Sequence, residues 1–276
     1  MRSIPLALLA FSLGACTSMQ DVELESRNIH VEENAVPTAA GSGTEGMAKL
    51  VQASGPSYVT LVVSKPETEG TVATRDSKRG IAITSGSGFI VDAGGYVITA
   101  AHVAVSKGNS VAARAANGRV YSGTVVGILP ENDMALIQLR GFQGRAVVPT
   151  SNQCLARGSM VYSLGKPHDQ GDTARVGSVQ SMHFGRAVSY GKFGYPDAIV
   201  LQMSTQKGES GGPLFDRSGT LVGMVVSTLT DASGNLLNLA HAVPANRLAG
   251  FLCGHVSCST KWSQLAAQST DSCPKI

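Results

Sequence analysis

Charge is scarce in this chain. Only 15% of its 276 residues are Asp, Glu, Lys or Arg, well below the ~25% of an average soluble domain. That scarcity, with no sustained heptads, excludes a coiled coil. Lysine and arginine are scattered and the net charge is only +3, so no basic face of the kind that grips nucleic acid is present. Aromatic residues make up 5%, with a single tryptophan, Trp262. Long apolar runs are missing as well: beyond the N-terminus none reaches the ~18 residues of a membrane-spanning helix. Cysteine is limited to five. Because 43% of the residues are nevertheless hydrophobic, disorder of the whole chain is excluded.

What is abundant is valine, 28 residues, and glycine, 32 residues. β-branched residues in short runs punctuated by glycine, Asp, Asn and Pro predict many short strands and tight turns. Runs expected to be strands are 58–63, 81–84, 88–91, 96–99, 111–114, 120–129 and 135–139, then 161–164, 174–182, 198–203, 221–226 and 239–243. A short helix is expected over 47–53 and a closing one over 244–252. Two groups of about six strands imply an all-β fold of two antiparallel six-stranded barrels, near 56–142 and 155–250, inside a domain spanning 46–252. Residues 253–276 form a tail that holds three cysteines and Trp262. Gly41 to Gly46 spells G-x-G-x-x-G, but no strand precedes it, so no dinucleotide site is expected.

The first residues read as an address. Arg2 is followed by an apolar run from Ile4 to Leu13, too short to span a membrane. It ends Leu13-Gly14-Ala15-Cys16, which resembles the bacterial lipobox. That resemblance implies a signal peptide over 1–15, a lipid on Cys16, a membrane partner through that lipid, and an outer-membrane address, since Thr17 rather than Asp follows. Residues 16–45, small and polar, are expected to be a flexible tether. Export makes disulfides the default for Cys154, Cys253, Cys258 and Cys273, in a pairing the sequence leaves open. A zinc site from Cys253, His255, Cys258 and Cys273 is the alternative; no metal or other cofactor is expected.

Chemistry concentrates in three segments. Gly208-Glu209-Ser210-Gly211-Gly212 sets a serine among glycines, where a substrate carbonyl approaches closely and backbone N–H groups converge. A serine nucleophile needs a base, and the base an orienting carboxylate. Upstream, Thr99-Ala100-Ala101-His102 leaves a strand, and Asp133 opens the apolar run Met134–Ile137.

These segments resemble the trypsin-like (chymotrypsin-fold) serine peptidases, in their HtrA-like branch. Gly86–Val91, Asp133–Ile137, Ser163–Pro167 and Thr173–Val179 match that branch in order. The resemblance implies His102 as general base, Asp133 as its orienter, Ser210 as nucleophile, and the N–H groups of Gly208 and Ser210 as an oxyanion hole. It places Ser204, Thr205, Val225, Val226 and Ser227 around the substrate pocket, with Ser227 a candidate to hydrogen-bond Asp133. It implies a cofactor-free serine endopeptidase acting on polypeptides of the envelope or exterior, with activity rising through pH ~6–7.5 as the base becomes neutral. The sequence departs from the family in lacking a recognisable PDZ module and in carrying Glu209 before the serine. The oligomeric state is not legible.

Two other readings stand. G-x-S-x-G also spells the nucleophile elbow of a serine esterase, which requires a helix directly after Ser210. A catalytically silent protease fold would instead be a binding scaffold.

Overall fold

In the computed structural model the described residues are 29–33, 44–66, 81–147, 149–150, 154–168, 170–231, 233–269 and 273. The expected signal peptide over 1–15 and Cys16 lie outside them. Helix α1 (Thr44–Ser54) leads into β2 (Tyr58–Ser64), β3 (Ala82–Ile90), β4 (Tyr96–Thr99), the single-turn helix α2 (Ala101–Ala104), β5 (Ser110–Ala115), β6 (Val120–Leu129) and β7 (Met134–Leu139). These six strands close into one antiparallel barrel in the order β2-β3-β4-β7-β6-β5. Burial alternates along β5 and β6, as the period-two pleat requires when one face lines a core. Where two separate strands were expected over 81–84 and 88–91, one runs through: the Ser85-Gly86-Ser87-Gly88 stretch continues the ladder against β2. Glycine breaks a strand only when the backbone must turn, and here it stays extended.

The second barrel takes β8 (Met160–Gly165), β9 (Thr173–Ser181), β12 (Ile199–Gln202), β13 (Pro213–Asp216), β14 (Leu221–Thr230) and β15 (Leu236–Pro244). Its sheet runs β9-β12-β15-β14-β13-β8 and closes through β8 pairing with β9. Between β9 and β12 a hairpin, β10 (Val188–Tyr190) and β11 (Phe193–Tyr195), stands apart from the barrel. The sequence reading missed it, because three-residue strands around Gly191 are too short for alternation to register.

The ends add one correction and one finding. Within the expected tether, β1 (His30–Glu33) pairs in parallel with Thr173–Val176 of β9, so that segment is docked. In the described part of the C-terminal tail, α3 (Ala245–His255) and α4 (Thr260–Ala266) pack together, and the indole of Trp262, buried, donates to the Val91 carbonyl at 3.1 Å. The cysteines pair as Cys154–Cys273 and Cys253–Cys258. The second bridge consumes two thiols that a zinc site would have used.

The bridges close loops of very different span, 119 and 5 residues. Chain entropy then predicts that removing Cys154–Cys273 by a double Ser substitution destabilises the protein by about 3 kcal/mol more than removing Cys253–Cys258. Urea unfolding of the two variants checks this; equal losses would refute it.

Candidate active site

The site lies where the barrels meet. Ala100 leaves β4 extended, and α2 then lifts His102 into the cleft at half exposure. Asp133 ends the 3-10 turn Pro130–Asn132 in the left-handed region, φ 49°, and is fully buried. That backbone aims its carboxylate back at α2. The His102 N–H donates to Oδ1 at 2.9 Å, and the imidazole Nδ1 donates to Oδ2 at 2.8 Å. A carboxylate on Nδ1 fixes the tautomer and leaves Nε2 free to accept a proton.

The Ser210 loop is held from both barrels. On the first, Ser87 N–H donates to the Ser210 carbonyl at 2.9 Å, and Ser87 Oγ donates to the Gly208 carbonyl at 2.8 Å. Gly211, at φ 85°, brings its Cα so near β3 that a Cβ would lie 2.2 Å from the Ser87 carbonyl; no other residue fits there. On the second barrel, Arg175 of β9 donates through Nε to Glu209 at 2.7 Å, with both side chains buried. Glu209 also accepts from the Gln206 N–H. Burial pushes the Glu209 carboxyl up, and Arg175 opposes the shift. The residue before the serine is thus an anchor of the loop, paired internally.

Two backbone directions matter. The Lys207 carbonyl accepts from His168 N–H at 3.0 Å and the Glu209 carbonyl from Gly212 N–H at 3.0 Å. In a trans peptide the N–H points opposite to the carbonyl, so the N–H groups of Gly208 and Ser210 are turned away from those partners. Ser210 Oγ donates to the Val226 carbonyl at 3.4 Å.

The expected pocket residues divide. Thr205 is buried and its hydroxyl meets that of Thr228 at 2.6 Å. Val225 sits in the second-barrel core, Val226 contributes its carbonyl to Ser210, and Ser204 is half-buried beside Thr205. Ser227 does not reach Asp133: its hydroxyl is taken by Tyr195 OH at 2.7 Å. The hydroxyl on Asp133 comes from Tyr190 of the hairpin. Ser87, Arg175 and Tyr190 were not singled out as functional in the sequence, since each acts on a residue far away in the chain. Behind Ser227, Tyr195 OH also meets His241 Nδ1 at 2.8 Å, and Phe184 packs on that imidazole. Burial pushes His241 down to about 4 and Tyr195 up to about 12. Pro213–Asp216 after the serine is strand β13, not the helix a nucleophile elbow requires, so the esterase-elbow reading falls.

Two predictions follow from these buried groups. Arg175→Met leaves the Glu209 carboxylate buried beside no cation and costs about 3–5 kcal/mol in urea unfolding; adding Glu209→Gln recovers part of it. His241 stays neutral in the fold but takes a proton in the unfolded chain below its ordinary value of 6.5. Stability therefore declines as pH falls from 6.5 towards 4. His241→Gln flattens that decline relative to wild type; an unchanged slope would refute the assignment.

Comparisons with known proteins bear on the family and the fold. The model of the trypsin-like peptidase domain matches residues 86–224. The chain is 31% identical over 164 residues to a probable periplasmic serine endoprotease DegP-like of Bartonella henselae, covering 59% of this chain and 31% of that one. It is 32% identical over 163 residues to periplasmic serine endoprotease DegP of Escherichia coli, covering 58% and 33%. The chain thus spans about a third of the length of these relatives. Among solved structures, the Rv3671c protease in its inactive form aligns with TM-score 0.60 at 22% identity, over 80% of this chain and 100% of that one. The HtrA-type protease AlgWS227A with tripeptide aligns with TM-score 0.62 at 23% identity, over 76% and 63%. With two closed barrels, a hydrogen-bonded His–Asp pair and a glycine-flanked serine loop between them, the chain belongs to the trypsin-like peptidase family.

Proposed function

We propose that this protein is a serine endopeptidase of the bacterial envelope, with His102, Asp133 and Ser210 as its triad. The observation that carries the reading is the His102–Asp133 pair of one barrel set beside the Ser210 loop pinned by Ser87. In this reading Ser210 Oγ leaves the Val226 carbonyl for His102 Nε2 by a change of χ1 rotamer. The serine proton passes to Nε2 as Oγ bonds the substrate carbonyl carbon. The N–H groups of Gly208 and Ser210 receive the oxyanion, each worth about 10²–10³ in rate. Collapse breaks the C–N bond, and His102 returns the proton to the leaving amine. Water then hydrolyses the acyl-enzyme by the same route.

Placement in the envelope is supported by the lipobox-like Cys16 segment and by the periplasmic names of the relatives. Lipid on Cys16 and an outer-membrane address complete the reading, with polypeptides as substrates. Ser204, Thr205, Val225, Val226 and Ser227 are the pocket proposed beside Ser210.

The purified protein is expected to label with a fluorophosphonate and to cleave casein. Ser210→Ala abolishes both, and His102→Ala slows labelling by more than ~10³-fold. A folded wild-type protein that neither labels nor cleaves would favour the scaffold alternative. Release of ester products without peptide cleavage would point to an esterase.

A further inference from the structure

We propose that Tyr190 is a positioning residue of the reaction: its hydroxyl, carried by the second-barrel hairpin, orients the Asp133 carboxylate against His102. The inference rests on the triad reading above and adds to it a link between the barrels.

Asp133 is fully buried, and a buried carboxylate needs donors on both oxygens. Oδ1 receives the His102 backbone N–H. Oδ2 receives the His102 Nδ1–H and the Tyr190 O–H. Tyr190 is the only donor to this carboxylate outside His102 among the hydrogen bonds of the described residues. The neighbouring strand β14 offers no substitute. Val226 has no polar side chain, and the Ser227 hydroxyl is held by Tyr195.

The hairpin is built to deliver this one group. Its root is in the second barrel, where Tyr195 OH joins Ser227 and His241. Its tip reaches the first barrel, where Lys192 Nζ donates to the Val105 carbonyl at 3.0 Å, just past α2. Tyr190 and Phe193 meet the His102 ring edge-on, at 5.8 and 6.3 Å between centroids. β11 packs on the Pro130–Asn132 turn that sets Asp133. The contacts thus surround the His–Asp pair, and the Tyr190 hydroxyl faces the carboxylate. Burial, and then the charge of Asp133, push the Tyr190 phenol upward, so it stays a donor throughout the working pH range. The other ionisable groups here are Tyr195, Lys192 with its ammonium on Val105, and Glu131, exposed on the turn.

A donor on Oδ2 lowers the carboxylate's basicity and holds its plane. Removing it leaves Asp133 more basic, so the imidazole retains its proton to higher pH. It also lets the imidazole wander, which affects turnover more than substrate binding.

The test is Tyr190→Phe in the purified full chain, with fluorophosphonate labelling rate, kcat and KM on a casein-derived peptide, and the pH–rate profile from 5.5 to 8.5. Labelling and kcat are expected to fall about 10-fold, with KM within about twofold. The acid limb should move upward by roughly half a pH unit. Replacing Tyr190 by 3-fluorotyrosine keeps the shape with a stronger donor and moves that limb downward, which covers the case in which Tyr190→Phe does not fold. An unmoved profile with unchanged kcat in either variant overturns the proposal. If wild type does not label, or Ser210→Ala labels equally, the triad reading itself fails, and this inference with it. Labelling of wild type that Tyr190→Phe leaves intact removes this inference alone.

Discussion

A carboxylate buried without water must be surrounded by donors, and in this protein the need is met across the boundary between the two barrels. Asp133 belongs to the first barrel, yet one of its donors, the Tyr190 hydroxyl, is anchored in the second. Leaving such a charge half-satisfied costs several kcal/mol, a large fraction of a domain's net stability. The turn before Asp133, the helix that presents His102 and the hairpin that brings Tyr190 must therefore adopt mutually consistent positions. The left-handed backbone of Asp133, costly for a non-glycine residue, persists because these contacts over-determine it.

The nucleophile loop is governed by a different constraint, close approach. Gly86, Gly208 and Gly211 stand where a side chain would strike Val103 of α2, the Lys166 carbonyl and the Ser87 carbonyl, respectively. Their small size lets Ser87 hold the backbone on both sides of Glu209. Flexibility is the risk of a glycine-rich loop, and the buried Arg175–Glu209 pair counters it from below. The pair is internal to the second barrel. Loop geometry is thus written into β9, a strand clamped on both edges by β8 and β1 along Thr173–Val176.

The legible parts were those carried by short contiguous segments. His102, Asp133 and Ser210 each sit in a local pattern whose meaning comes from chemistry, and the two barrels follow from valine-rich runs between turn residues. Groups acting at a distance were not legible. Tyr190 lies 57 residues from Asp133, and Arg175 lies 34 from Glu209, so no window of sequence joins them. Ser227 illustrates the cost: a hydroxyl near the right strand was expected at Asp133, while the fold turned it to Tyr195. The tail's packing was not legible for a related reason. Polar composition concealed Trp262 and Cys273, whose burial depends on a groove formed by other segments and on a bridge to Cys154.

Asp133 has a counterpart in the reverse direction. Asp172, just before β9, is also buried, and it receives Tyr58 OH at 3.2 Å and the Arg114 guanidinium at 3.4 Å, both from the first barrel. Each barrel thus lends a carboxylate to donors of the other. Apolar contact between barrels would hold them together without fixing their rotation, since hydrophobic burial is not directional. Hydrogen bonds to buried charge are directional and weaken steeply with misalignment. Two such links, one beside His102 and one at the start of the strand that carries Arg175, restrict sliding of one barrel on the other. The His–Asp pair comes from one barrel and the serine loop from the other. Their registration is therefore a property of this reciprocal polar seam rather than of either barrel alone.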